Sequence, residues 1–183
     1  MNYWKCAFAA AGANCIVLAL SLARYGTLVG GGAAARNTAR FAALIFLAAF
    51  AAPGLRRWLR FPEPAFLIMA YVAAQLVHYA AVALLHTVFA PIRITLGVPQ
   101  VAIVMFGFSL TMLMAFTAAS RNKVAAALHK VTLYIVFLIL AADYSSHPVK
   151  SMRLVAIPIF AALALRWIPR KSTLQPDAAG LGN

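Results

Sequence analysis

The chain has 183 residues, of which 64% are hydrophobic and only 10% charged, with a mean hydropathy of +0.88 and a formal charge of +13. A soluble domain of this size has no interior large enough to bury so much apolar surface, so the composition points to an integral membrane protein. Nor does the positive charge mark a nucleic-acid binder, because Lys and Arg come in ones to threes between apolar runs and form no single basic face.

Six apolar runs follow one another, at about 6–28, 40–56, 65–89, 98–119, 125–145 and 149–168, each close to the ~20 residues that a bilayer requires. The breaks between them carry turn chemistry: the three glycines at 30–32, Pro53-Gly54 before Arg56 and Arg57, Pro62 and Pro64 around Glu63, Gly97 and Pro99, the polar stretch 120–123, and His147-Pro148. Loops this short make neighbouring spans antiparallel. The predicted fold is therefore all-α, a polytopic membrane protein forming a six-transmembrane-helix bundle over residues 1–171. Residues 172–183 have the Ser, Pro, Asp and Gly composition of a disordered cytoplasmic tail. A cleaved signal peptide is the alternative for the first run, which follows a short positive start; its length favours a retained span. Cys6 and Cys15, nine residues apart on one helix, face away from each other and read as small packing residues.

Lys and Arg give the orientation, since positive loops stay cytoplasmic. One side collects Lys5, Arg56, Arg57, Arg60, Arg121, Lys123, Lys130, Arg166, Arg170 and Lys171, which makes ten. The other collects Arg24, Arg36, Arg40, Arg93, Lys150 and Arg153, which makes six. Both termini are thus expected in the cytoplasm, and the tyrosines and tryptophans near span ends, Tyr71, Trp58, Tyr134 and Trp167, in the interfacial belt.

Of four histidines, His78 in the third run and His129 in the fifth lie inside apolar sequence. Both runs cross in the same direction, so a neutral imidazole from each can meet across a flat metal macrocycle, as a six-coordinate haem b requires. Counted from the cytoplasmic ends, their depths differ by roughly 6 to 12 Å at 1.5 Å per residue, which helix tilt can partly absorb. The alternative is that each histidine hydrogen-bonds a neighbouring helix. His86 and His147 form a poorer pair, mismatched by about 15 Å. Arg56, Arg57, Arg60, Arg121, Lys123 and Lys130 lie at the cytoplasmic face, where anionic haem propionates would need them; Arg57 and Arg121 are the leading candidates, since an arginine fork can hold a carboxylate with two hydrogen bonds.

The stretch 115–134, which runs from Phe116-Thr117 through Arg121 and Lys123 to Leu128-His129 and Tyr134, resembles the junction between the fourth and fifth spans of the ferric reductase-like transmembrane domain family. It is similar in particular to the small haem-binding membrane subunits of periplasmic methionine sulfoxide reductase systems. Pro53-Gly54-Leu55-Arg56-Arg57 resembles the end of that family's second span, and 70–80 its third, with one histidine. The likeness covers about 40–145 and rests on short, degenerate motifs. It implies electron transfer through haem b, with His78 and His129 as metal ligands. Members often carry a second histidine 13 or 14 residues after the first on the fifth span, where this chain has Ala142 and Asp143, so one haem is expected. A flavoprotein or quinone donor and a separate acceptor are the partners implied.

Asp143 reads either as a helix-end carboxylate, solvated or paired with Lys150, Arg153 or Arg93, or as a proton or cation site near an electron exit. No glycine-rich phosphate motif follows a strand and no cysteine cluster occurs, so nothing in the sequence binds nicotinamide or an iron–sulfur centre. The reading that results is a membrane b-type cytochrome-like electron-transfer protein of the bacterial inner membrane, a component of an oxidoreductase system and not a self-contained enzyme. The alternative is a haem-free helical membrane protein serving as an assembly or transport subunit.

Overall fold

The computed structural model describes residues 2–88, 98–118, 120, 122–146 and 156–167, with backbone alone at 27–30, 86, 88, 98–100 and 146. All regular structure among them is helical. Tyr3–Leu55 runs as helix on both sides of a break at Gly26, which gives α1 (Tyr3–Gly26) and α2 (Gly31–Leu55). There follow α3 (Pro64–Val88), α4 (Val98–Thr117), α5 (Lys123–Ser146) and α6 (Ala156–Trp167). Of these, α1, α2, α3 and α5 are long and apolar enough to cross a membrane; the apolar parts of α4 and α6 are shorter. The tail at 172–183 lies outside the described residues.

The first break falls elsewhere than the sequence suggests. Gly26, at φ 71°, makes the turn, and the glycines at 30–32 continue into helix. Only glycine reaches that φ without a Cβ clash, whereas helix with all its backbone bonds internal is the form that an apolar medium demands of the residues after it. The second span therefore begins about nine residues early, and Arg36 and Arg40 belong to α2 and not to a loop. Asn14 and Ser21 on α1 reach Thr38 and Asn37 on α2, which makes the two helices an antiparallel hairpin.

That hairpin packs along α3, and α6 closes on it near Leu55. The core is built from small residues that let backbones approach, among them Ala34, Ala42, Ala52 and Ala74, and from an aromatic group of Phe46, Phe50, Tyr71 and Phe137. Phe50 stacks on Phe137 at 4.3 Å and meets Tyr134 edge-on at 5.5 Å, while Phe46 meets Tyr71 at 5.1 Å. Tyr71 is therefore core and not belt: its place well inside α3, facing α2, buries it. Tyr134 is likewise turned inward, toward Phe50. Trp58 and Trp167 are exposed, as belt residues are. Cys6 and Cys15 are free thiols.

The closest approach of two elements is at Gly54, where an added Cβ would fall on the Leu165 carbonyl of α6. Gly54→Ala is expected to cost about 1–3 kcal/mol through forced displacement of α6. Gly12→Ala, whose Cβ meets nothing within 4 Å, should be neutral or stabilising. Thermal unfolding of the two variants in detergent checks this, and equal stabilities would refute the close packing of α2 on α6.

Candidate functional site

His78 and His129 occupy matching environments. In an apolar helix a threonine satisfies its hydroxyl by donating back to its own helix, and both partner threonines do so: Thr38 to the Ala34 carbonyl at 2.9 Å, and Thr117 to the Leu113 carbonyl at 2.6 Å. Each hydroxyl has a single proton, so the oxygen left over accepts. The Nδ1 of His78 lies 3.0 Å from Thr38 Oγ1, and the Nδ1 of His129 lies 3.0 Å from Thr117 Oγ1. Both rings thus donate Nδ1–H to a threonine on the neighbouring helix, which fixes the tautomer and leaves Nε2 with its lone pair. A metal-binding imidazole needs this same arrangement.

The two rings do not come together. Thr38 draws His78 toward α2, and Thr117 draws His129 toward α4. Among the described residues no Cα of α3 lies within 8 Å of a Cα of α5. Aromatic contacts fix the relative depths. Phe46 is level with Tyr71, and Thr38 with His78, so α3 runs antiparallel to α2; Phe50 is level with Tyr134 and Phe137 on α5. From Phe50 to Thr38 is twelve residues along α2, and from Tyr134 to His129 five residues in the other direction along α5. At 1.5 Å per residue that sets His78 about 25 Å outward of His129. The path through α4 gives less, about 13 Å from Phe108, which Tyr79 touches, to Thr117. Both paths exceed the 6 to 12 Å expected from sequence. Two axial nitrogens on one iron stand only about 4 Å apart, so in this structure the pair does not fit a single haem. The expectation that α3 and α5 run parallel is met; the expected depth match is not.

Around His78 the packing is tight. Asn14, Thr38 and Ala74 are fully buried, and Asn14 donates from Nδ2 to the Ala74 carbonyl at 2.8 Å and the Thr38 carbonyl at 3.4 Å. Its Oδ1 has no partner among the described residues. Ser21, Asn37 and Arg40 continue this polar seam: Asn37 donates to Ser21 Oγ at 3.0 Å, and Arg40 to Asn37 Oδ1 at 3.4 Å. Tyr144 lies within electrostatic reach of both Arg40 and Asp143, which places the α2 cation beside the outer end of α5.

Around His129 the setting is cationic. Arg166 of α6 is within electrostatic reach of the ring; its Nε donates to Tyr134 Oη at 3.1 Å and its Nη1 to the Phe50 carbonyl at 2.6 Å. Its guanidinium also covers the rings of Phe50 at 4.5 Å and Tyr134 at 5.2 Å. Arg57 is at this end too, exposed just past α2. Arg121, His147, Lys150, Arg153 and Arg93 lie outside the described residues, as does the side chain of His86. No group of three His, Cys, Asp or Glu side chains gathers among the described residues.

Sequence reading found both histidines and missed their partners. Thr38 and Thr117 carried a signal, being hydroxyl residues in apolar helix, but nothing local shows which imidazole they face. Arg166 was read as a topology charge, and its inward position follows only from α6 packing on α2. Comparison with protein-family models, with curated proteins and with solved structures finds no match to this chain.

Proposed function

We propose that the chain is a membrane electron-transfer component, similar in role to the ferric reductase-like transmembrane domain that its sequence resembles. The observation supporting this is the repeated Thr–His pair, which holds Nδ1–H and turns Nε2 into a metal-ready donor at two points of an apolar bundle. When bound, a haem b supplies one-electron chemistry, and the chain contributes ligation, burial and nearby charge. His129 lies toward the basic end of the bundle, where Arg57 is exposed just past α2, and such surroundings suit a haem with anionic propionates. A flavoprotein or quinone donor and a separate acceptor complete the pathway. All six helices cross the bacterial inner membrane in this reading, with both termini cytoplasmic. Moving Arg36 and Arg40 from the outer loop into α2 strengthens the charge bias behind that orientation.

The depth difference between the histidines favours a second reading. Each imidazole would then simply join two helices, α2 to α3 and α4 to α5, in a haem-free assembly or transport subunit. A visible spectrum of the protein purified after expression with added haem precursor separates the two. A Soret band that survives washing, with a b-type pyridine haemochrome, is expected; protein that stays colourless sinks the electron-transfer reading.

A further inference from the structure

Arg166 sits where α2, α5 and α6 meet, and its hydrogen bonds leave most of it unused. A guanidinium has five N–H donors. One serves Tyr134 Oη and one the Phe50 carbonyl, so three have no acceptor among the described residues. Both partners are neutral. The only carboxylates on described residues are Glu63 and Asp143, and neither forms an ion pair with Arg166; Asp143 is nine residues past Tyr134 along α5, about 14 Å away in depth. The described groups nearby add no negative charge: the His129 ring is neutral, and Lys123 and Lys130 lie on the first turns of α5.

A half-buried cation this well fixed, with spare donors and no counter-charge among the described residues, suits an anion from outside the chain. Its depth says which. Trp167 is 68% exposed next to it, and Trp58 is 54% exposed just past α2, so this end of the bundle carries the aromatic belt that marks the headgroup level. Phe50 and Tyr134 hold the guanidinium plane, and a planar fork binds a phosphate with two parallel hydrogen bonds. We propose that Arg166 binds the phosphate of an anionic phospholipid headgroup at the α2–α5–α6 junction. Anionic lipid is preferred over zwitterionic because a choline or amine already neutralises the phosphate charge that the guanidinium would meet. The inference rests on membrane residence alone and not on the electron-transfer reading.

Native mass spectrometry of the full-length protein, released from micelles with phosphatidylglycerol or phosphatidylcholine of the same chains, tests it. Retention of phosphatidylglycerol is expected to be roughly ten-fold stronger, because in phosphatidylcholine the choline already offsets the phosphate charge that the guanidinium meets. Arg166→Lys keeps the charge but not the fork and should retain phosphatidylglycerol several-fold less than the unmodified protein; Tyr134→Phe, which frees one guanidinium donor, should retain it as well as the unmodified protein does. Equal retention of the two lipids by the unmodified protein overturns the proposal even if every variant misfolds. Undiminished retention of phosphatidylglycerol in Arg166→Lys moves the site elsewhere, and displacement of the lipid by millimolar inorganic phosphate makes it a free-anion site and not a lipid one.

Discussion

Phe50→Ala is expected to destabilise the bundle more than any other single truncation. Phe50 is fully buried and touches four groups at once: Phe137 face to face, Tyr134 edge-on, Phe46 at 6.1 Å, and the Arg166 guanidinium. In a bilayer or micelle the transfer part of the cost falls away, because the unfolded helices remain in an apolar medium. The cavity part remains. Removing on the order of 100 Å³ at ~24 cal/mol per Å³ gives about 2.4 kcal/mol. Loss of the cation–π contact adds roughly 1 kcal/mol, for about 3–4 kcal/mol in total. Phe116, 80% exposed on α4, is the control, and its truncation should change little. Unfolding in mixed micelles with increasing denaturing detergent measures both. A Phe50→Ala midpoint equal to that of Phe116→Ala would refute the packing of α2 against α5 and α6.

The helices were largely legible in the sequence because an apolar run of about 20 residues is a signal that needs no partner to be read. Ends set by proline, such as Pro64 at the start of α3, came within a residue or two. The glycines at 30–32 misled because intrinsic propensity favours a turn there, while the lack of water to satisfy an open backbone favours helix, and the second effect is larger. The histidines were legible as costly residues in apolar sequence. Their relative depth was not, since it depends on how α3 and α5 stagger against α2, and that stagger is decided by Phe46 on Tyr71 and Phe50 on Phe137, contacts between residues at least 25 apart in the chain. Tyr71 and Tyr134 were misplaced for a related reason: an amphipathic ring suits either an interface or a buried hydrogen bond, and only packing chooses.

The same stagger makes the two histidines separable by mutation. A haem shared by His78 and His129 would be lost from either single variant. Set at different depths and held by threonines on different helices, they should respond differently. His129→Ala is expected to remove bound haem, because this ring lies toward the basic end of the bundle, within electrostatic reach of Arg166. His78→Ala is expected to keep haem and to cost only about 0.6 kcal/mol, the usual worth of one hydrogen bond between membrane helices, since this ring joins α3 to α2 through Thr38, far in depth from the basic end of the bundle. Thr117→Val should weaken haem retention without abolishing it, by about 10-fold or more, because the imidazole loses the acceptor that fixes its tautomer; Thr38→Val should not. Pyridine haemochrome quantified against protein reads all four variants whatever the spin state. Haem lost from both His78→Ala and His129→Ala would mean that the rings meet on one iron, and that α3 slides against α5 by more than two helical turns from the arrangement described above.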